Sequence, residues 1–237
     1  MVADVEGWLT DGQVACLHRE ARAIAAGGRI VEIGSFRGRS TIVLAASASE
    51  DTEVVAIDPH AGNDRGPQEI EGFETEAATD NRVFEANLTG AGVRDRVVHH
   101  RTFSDRAHAL VDDPIDLLFI DGAHRFGPAR TDIRDWGARV APGGTMLIHD
   151  SFSSIGVTLA ILVELVGSSR YRYEGRVGSL TVYRRSDPTA GRRVTGALRQ
   201  LLQLPWFVRN VTVKVMMVAG LGRLTPMLGH RQGTWPH

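Results

Sequence analysis

Five apolar runs of five to seven residues punctuate the first 150 residues: RIVEIGS from Arg29, EVVAID from Glu53, RVVHH at 96–100, IDLLFID at 115–121 and TMLIHD at 145–150. Runs this short with little polar alternation read as strands buried on both faces. Helical patterns fill the gaps. Thr10 and Gln13 make a capping box, and Val14, Leu17, Ala21, Ile24 and Ala25 then share one face before Gly27-Gly28 stops the helix. Further helices are expected over about 38–48, 68–89 and 127–139, and after Asp150, with Val157, Ala160, Ile161 and Leu165 inward. Strand–helix alternation of this kind predicts an α/β fold, a doubly wound parallel sheet with right-handed crossovers. YRYEG and SLTVYRR, hinged at Val177-Gly178, predict a terminal antiparallel hairpin and a total of seven strands.

The 237 residues suit one such domain, expected over 1–187, with a basic amphipathic C-terminal extension over 188–237. In the extension, Val194, Ala197, Leu198, Leu201 and Leu202 share a helical face, and Pro205 is expected to break that helix. VTVKV at 211–215 alternates at period two inside a longer apolar run, so helix and strand both stay open there. The formal net charge of −1 hides a division. From Arg184 onward nine basic residues face Asp187 alone, a surplus of eight that leaves the first 183 residues at −9. The acidic body argues against nucleic acid as a partner. The extension is expected to pack a homodimer or border the acceptor site, with an anionic membrane surface as the alternative.

Cys16 is the only cysteine, so no disulfide framework or Cys-x-x-Cys metal site exists. MVADVEGWLT lacks the basic and apolar regions of a secretory signal, and no stretch of about 18 apolar residues occurs, so a cytoplasmic protein without a transmembrane segment is expected. Lys214 is the single lysine beside 26 arginines, a bias of genome composition rather than of chemistry.

Ligands of doubly wound sheets sit beyond the carboxyl ends of the strands. The first such end reads Glu32-Ile33-Gly34-Ser35-Phe36-Arg37-Gly38-Arg39-Ser40-Thr41. Gly34 permits a sharp turn with backbone N–H groups close to a ligand, and Gly38 a tight entry into the next helix. The spacing lacks Gly-x-Gly-x-x-Gly and no Gly-Lys-Ser/Thr follows, which argues against a nicotinamide oxidoreductase and a phosphate loop. A cofactor without a pyrophosphate, such as S-adenosylmethionine, fits better. Asp58, ending the second strand, can accept hydrogen bonds from ribose hydroxyls. The fourth and fifth strands end on Asp121, with His124 just beyond, and on His149-Asp150. Two carboxylates and imidazole at one rim suit a divalent cation.

VEIGSFRGRST, AIDPH, FIDGAH and APGGTMLIHD together resemble class I S-adenosylmethionine-dependent methyltransferases, Rossmann-like in fold. More narrowly, they resemble the cation-dependent sugar O-methyltransferase branch that includes the macrolide-sugar enzymes, the cephalosporin hydroxylase-like proteins and methyltransferases of methylated mannose polysaccharides. The resemblance covers about residues 6–184. It implies that Glu32, Gly34, Ser35, Gly38 and Thr41 line the methionine end of the cofactor. Asp58 would hold the ribose, with Ser104 and Asp105 beside the adenine. Asp121, His149 and Asp150 fall on the metal positions, for Mg²⁺ or another divalent cation; several relatives carry an acid where this chain has His149. His124 is the favoured proton acceptor, ahead of Asp121 and His149. A sugar hydroxyl of a small glycoside or oligosaccharide is the expected acceptor. A catechol or phenol, or a non-catalytic binding protein on the same fold, are the alternatives. The loop from His60 to Gly72 is expected to act as a lid.

Overall fold

The computed structural model describes residues 2, 4–60 and 73–230. Seven strands form one sheet: β1 (Arg29–Ile33), β2 (Glu53–Ile57), β3 (Val97–His100), β4 (Ile115–Ile120), β5 (Val140–Ile148), β6 (Tyr171–Val177) and β7 (Leu180–Arg185). Their order is β3-β2-β1-β4-β5-β7-β6, with the first five parallel and β7 antiparallel to both β5 and β6. Flanking them are α1 (Asp11–Arg22), α2 (Arg39–Ser47), α3 (Phe73–Gly90), α4 (Phe126–Thr131) and α5 (Ile155–Glu164). The expected doubly wound sheet with a terminal hairpin is therefore present.

Side chains alternate between two cores, as a period-two strand requires. Val31, Ile33, Val55, Ile57, Leu118 and Ile120 face one core, with Ile133 and Trp136 and with Val157 and Ile161 of α5. Ile30, Val54, Ala56, Leu117 and Phe119 face the other, with Leu17 of α1, Ile42 and Leu44 of α2, and Phe84 and Leu88 of α3. Truncating a fully buried centre such as Leu118 to Ala costs about 2–5 kcal/mol.

The capping box of α1 forms as read, with the Thr10 hydroxyl and the Gln13 side chain each serving the other's backbone N–H. Two expectations shift. Pro142-Gly143-Gly144 does not precede the fifth strand. It bulges outward within it, since Ile115 pairs with Val140 while Leu117 already pairs with Thr145. The helix expected over 127–139 changes pitch after Thr131, passing through a wide π turn at Asp132–Trp136 into a 3₁₀ turn at Gly137–Arg139. The wide turn brings Asp132, Ile133 and Trp136 all inward. The lid expected over 60–72 lies outside the described residues except for His60.

Beyond the hairpin, α6 (Ala190–Leu201) and α7 (Leu204–Val218) follow, so VTVKV is helical. Pro205 sits in the first turn of α7, where its missing N–H costs nothing, so it opens the second helix. Leu204, Trp206 and Phe207 pack against the first core, and the Arg176 guanidinium lies 3.8 Å above the Trp206 ring. No described helix is long and apolar enough to cross a membrane.

Candidate active site

Gly34 ends β1 at φ +87°, a conformation that favours glycine. A Cβ there would stand 2.2 Å from the Asp121 carbonyl oxygen, because the ends of β1 and β4 touch at this point. The Asp121 N–H donates to the Ile33 carbonyl at 2.8 Å, extending the parallel pairing by one bond. The glycine turn and the Asp121 rim thus form one continuous surface.

Asp58 shapes that turn. Its Oδ2 accepts from the backbone N–H groups of Ser35 and Phe36, both at 2.8 Å, and its Oδ1 accepts from His60 N–H at 2.7 Å. Three of roughly four acceptor positions are occupied, which leaves one to face a ligand. Gly38 caps α2 in the left-handed region, and a Cβ there would meet Leu88 and Phe84. Gly38 therefore packs α2 against α3.

Glu32 is fully buried. The Thr41 hydroxyl donates to its Oε2 at 2.5 Å. Its Oε1 and the Ser35 hydroxyl are both buried without partners among the described residues. Burial pushes the Glu32 carboxyl up to about 8, against the opposing hydrogen bonds from Ser40 and Thr41. Thr41 serves Glu32 directly.

At the ends of β4 and β5, Asp121, His124 and Asp150 each offer a ligand atom, all within 4.8 Å of one another. His124 Nε2 lies 2.5 Å from Asp150 Oδ2, while its Nδ1 is buried with no partner among the described residues. The buried His149 places Nδ1 3.0 Å from Asp121 Oδ1 and 3.8 Å from Asp150 Oδ2. All four residues expected at this rim are therefore together, with His124 in the most compact group. Asp150 stands at φ +53°. Burial works to raise its carboxyl, but His149, the hydrogen bond to His124 and the Lys214 ammonium outweigh it and hold the group far below the usual carboxylate range. Gly156 completes the rim, since a Cβ there would meet the His124 carbonyl at 2.2 Å; its absence lets α5 approach the His124 loop.

Ser104 and Asp105 part ways. The Ser104 hydroxyl donates to Asp132 Oδ1 at 2.6 Å, whereas Asp105 is exposed. Asp132 was not singled out in the sequence. It is buried beneath the Asp121-Gly122 turn, and burial raises its carboxyl to about 7 against the Ser104 hydrogen bond. An acid on the inward face shared with Ile133 and Trp136 was the available signal. Lys214 was also missed. From α7 its ammonium donates to the Ser153 carbonyl at 3.0 Å and hydroxyl at 3.1 Å, in the turn after Asp150. Asn210, one helical turn earlier, reaches the Phe152 carbonyl at 3.4 Å.

The chain is similar to known proteins. A catechol O-methyltransferase of Mycobacterium tuberculosis is 32% identical over 133 residues, 56% of this chain and 51% of that enzyme. The chain spans about half or less of the lengths of the curated relatives it matches. In fold it is similar to the O-methyltransferase NovP (TM-score 0.60, 15% identity, 74% of this chain and 80% of that one). It is likewise similar to an O-methyltransferase from Bacillus cereus in complex with SAH (TM-score 0.57, 18% identity, 78% and 86%). Residues 31–151, from β1 through the turn after Asp150, match the methyltransferase domain, and the chain belongs to that family.

Proposed function

We propose that the chain moves a methyl group from S-adenosylmethionine to a hydroxyl oxygen of a small glycoside or oligosaccharide, assisted by a divalent cation such as Mg²⁺. One observation carries this reading: the glycine turn of β1 touches the backbone of Asp121, whose carboxylate belongs to the compact Asp121–His124–Asp150 group. A methyl donor on the turn would thus lie beside ligands for a cation and a base for the acceptor.

The residues fit the cofactor. Glu32 Oε1 and Ser35 Oγ are buried acceptors without partners, suited to the ammonium of a methionine moiety. Asp58 holds the turn and keeps one acceptor position for a ribose hydroxyl. Asp105, exposed after β3, is assigned to the adenine end, and Ser104 to holding Asp132. S-adenosylmethionine supplies a methyl group on a sulfonium centre, open to in-line attack by a hydroxyl oxygen.

The residues fit a cation too. Asp121 and Asp150 supply hard oxygen ligands, with the His149 imidazole beside both. A divalent cation lowers the pKa of a neighbouring hydroxyl. His124 is assigned as the proton acceptor. Its Nε2 is anchored on Asp150, which leaves Nδ1 to take the proton, the logic of an imidazole oriented by a carboxylate.

A catechol or phenol acceptor is the second reading, favoured by the catechol O-methyltransferase relative. Aromatic acceptors favour ring-lined slots, and only 6% of the chain is Phe, Trp or Tyr. Supplying labelled S-adenosylmethionine with a panel of glycosides, oligosaccharides and catechols tests both. Label in glycosides supports the first reading, label in catechols alone the second, and failure to bind the cofactor overturns both.

A further inference from the structure

Helix α6 is mounted inside out. The side facing the domain is polar: Gln200 is buried, accepting from the Tyr183 hydroxyl at 3.0 Å and donating to the Leu165 carbonyl at 3.3 Å. Arg193 donates to the Gly167 carbonyl at 3.0 Å, and Arg199 to the Glu174 carbonyl at 2.8 Å. The apolar side faces out, with Val194, Leu198 and Leu202 exposed, Leu202 to 74%. Helix α7 packs Trp206 and Phe207 against the first core and buries Val213, yet it also leaves Val208, Val215 and Val218 exposed, the last to 82%. Helices that belong to a folded core turn their apolar stripe inward. A stripe turned outward on two successive helices marks a docking surface.

Charge decides the occupant. No Asp or Glu occurs after Asp187, and Arg192, Arg193, Arg199 and Arg223 are exposed on or beside the two helices, whereas Lys214 turns inward to Ser153 and Arg209 reaches the Leu228 carbonyl. A two-fold contact with a second copy through this face would set one cationic surface against another. A bilayer rich in anionic phospholipid answers both features, since acyl chains take the apolar stripe and headgroups the cations.

We propose that the outward face of α6 and α7 docks this protein on an anionic phospholipid surface, by surface insertion without spanning. This inference is independent of the acceptor chemistry. The test is flotation of the full chain with phosphatidylcholine vesicles, with and without phosphatidylglycerol. The chain is expected to float only with phosphatidylglycerol present, and to release as salt is raised. Leu198→Asp with Leu202→Asp should abolish flotation while near-ultraviolet circular dichroism and cofactor binding stay unchanged. Arg192→Glu should weaken binding about tenfold. Equal binding to neutral vesicles or no binding to anionic ones would overturn the proposal. So would a stable dimer in solution that Leu198→Asp dissociates.

Discussion

His124 and Asp150 meet at 2.5 Å across the gap between the ends of β4 and β5, and the imidazole nitrogen on the far side has no partner among the described residues. This pair separates two roles that one histidine cannot fill through one nitrogen. With His124 as the base, His124→Gln should lower kcat by about 10²–10⁴-fold. Binding of Mn²⁺, followed by its paramagnetic broadening of solvent relaxation, should stay close to wild type. Loss of Mn²⁺ affinity in His124→Gln would make His124 a ligand instead.

The contact between Gly34 and Asp121 has a clear energetic consequence. Gly34→Ala adds a methyl 2.2 Å from a carbonyl oxygen at φ +87°, so β1 and β4 must part at their ends. The cost should exceed about 3 kcal/mol, combining backbone strain with the clash. Gly27 has a similar φ of +77° but open space around it. Gly27→Ala should cost only about 1–2 kcal/mol, the left-handed penalty alone. Urea midpoints of the two variants compare them directly.

Glu32 sets a pH dependence. Its carboxyl is raised from an ordinary 4.5 to about 8 by burial, so the folded state holds a proton that the unfolded state releases. That contribution to stability is complete below about pH 4.5 and is lost as pH rises through about 8. Glu32→Gln should therefore flatten the fall in stability between pH 5 and 8, while weakening S-adenosylmethionine binding in calorimetry. An unchanged pH profile would show that Glu32 is ionised in the fold.

Lys214 ties α7 to the turn that carries Asp150. Lys214→Met removes two hydrogen bonds to Ser153 and should lower kcat several-fold with little change in the cofactor Kd, at a stability cost of about 1.5–3 kcal/mol. Lys214→Arg should restore part of the lost turnover.

Much of this fold could be read from the sequence because its signals are local. Apolar runs such as EVVAID are buried on both faces, and Thr10 with Gln13 closes its own capping box. The rim residues were legible because strand ends in a doubly wound sheet fall together whatever lies between them. Asp132 and Lys214 were not. Asp132 turns inward only through the wide π turn, and Lys214 reaches Ser153 across 61 positions of sequence. VTVKV stayed open between helix and strand for a related reason: its period-two pattern is shorter than the helix that tertiary packing imposes on it. The glycines of APGGT signalled a turn correctly but could not show that the strand begins before it.

Methyl transfer from labelled S-adenosylmethionine to a glycoside acceptor, before and after chelation and again after Mg²⁺ is restored, tests the central claim most directly. The arrangement of Gly34, Asp121, His124 and Asp150 predicts transfer that chelation abolishes and Mg²⁺ recovers, and that Asp121→Ala lacks under all three conditions. Full transfer in the presence of chelator, or turnover retained by Asp121→Ala, would contradict it.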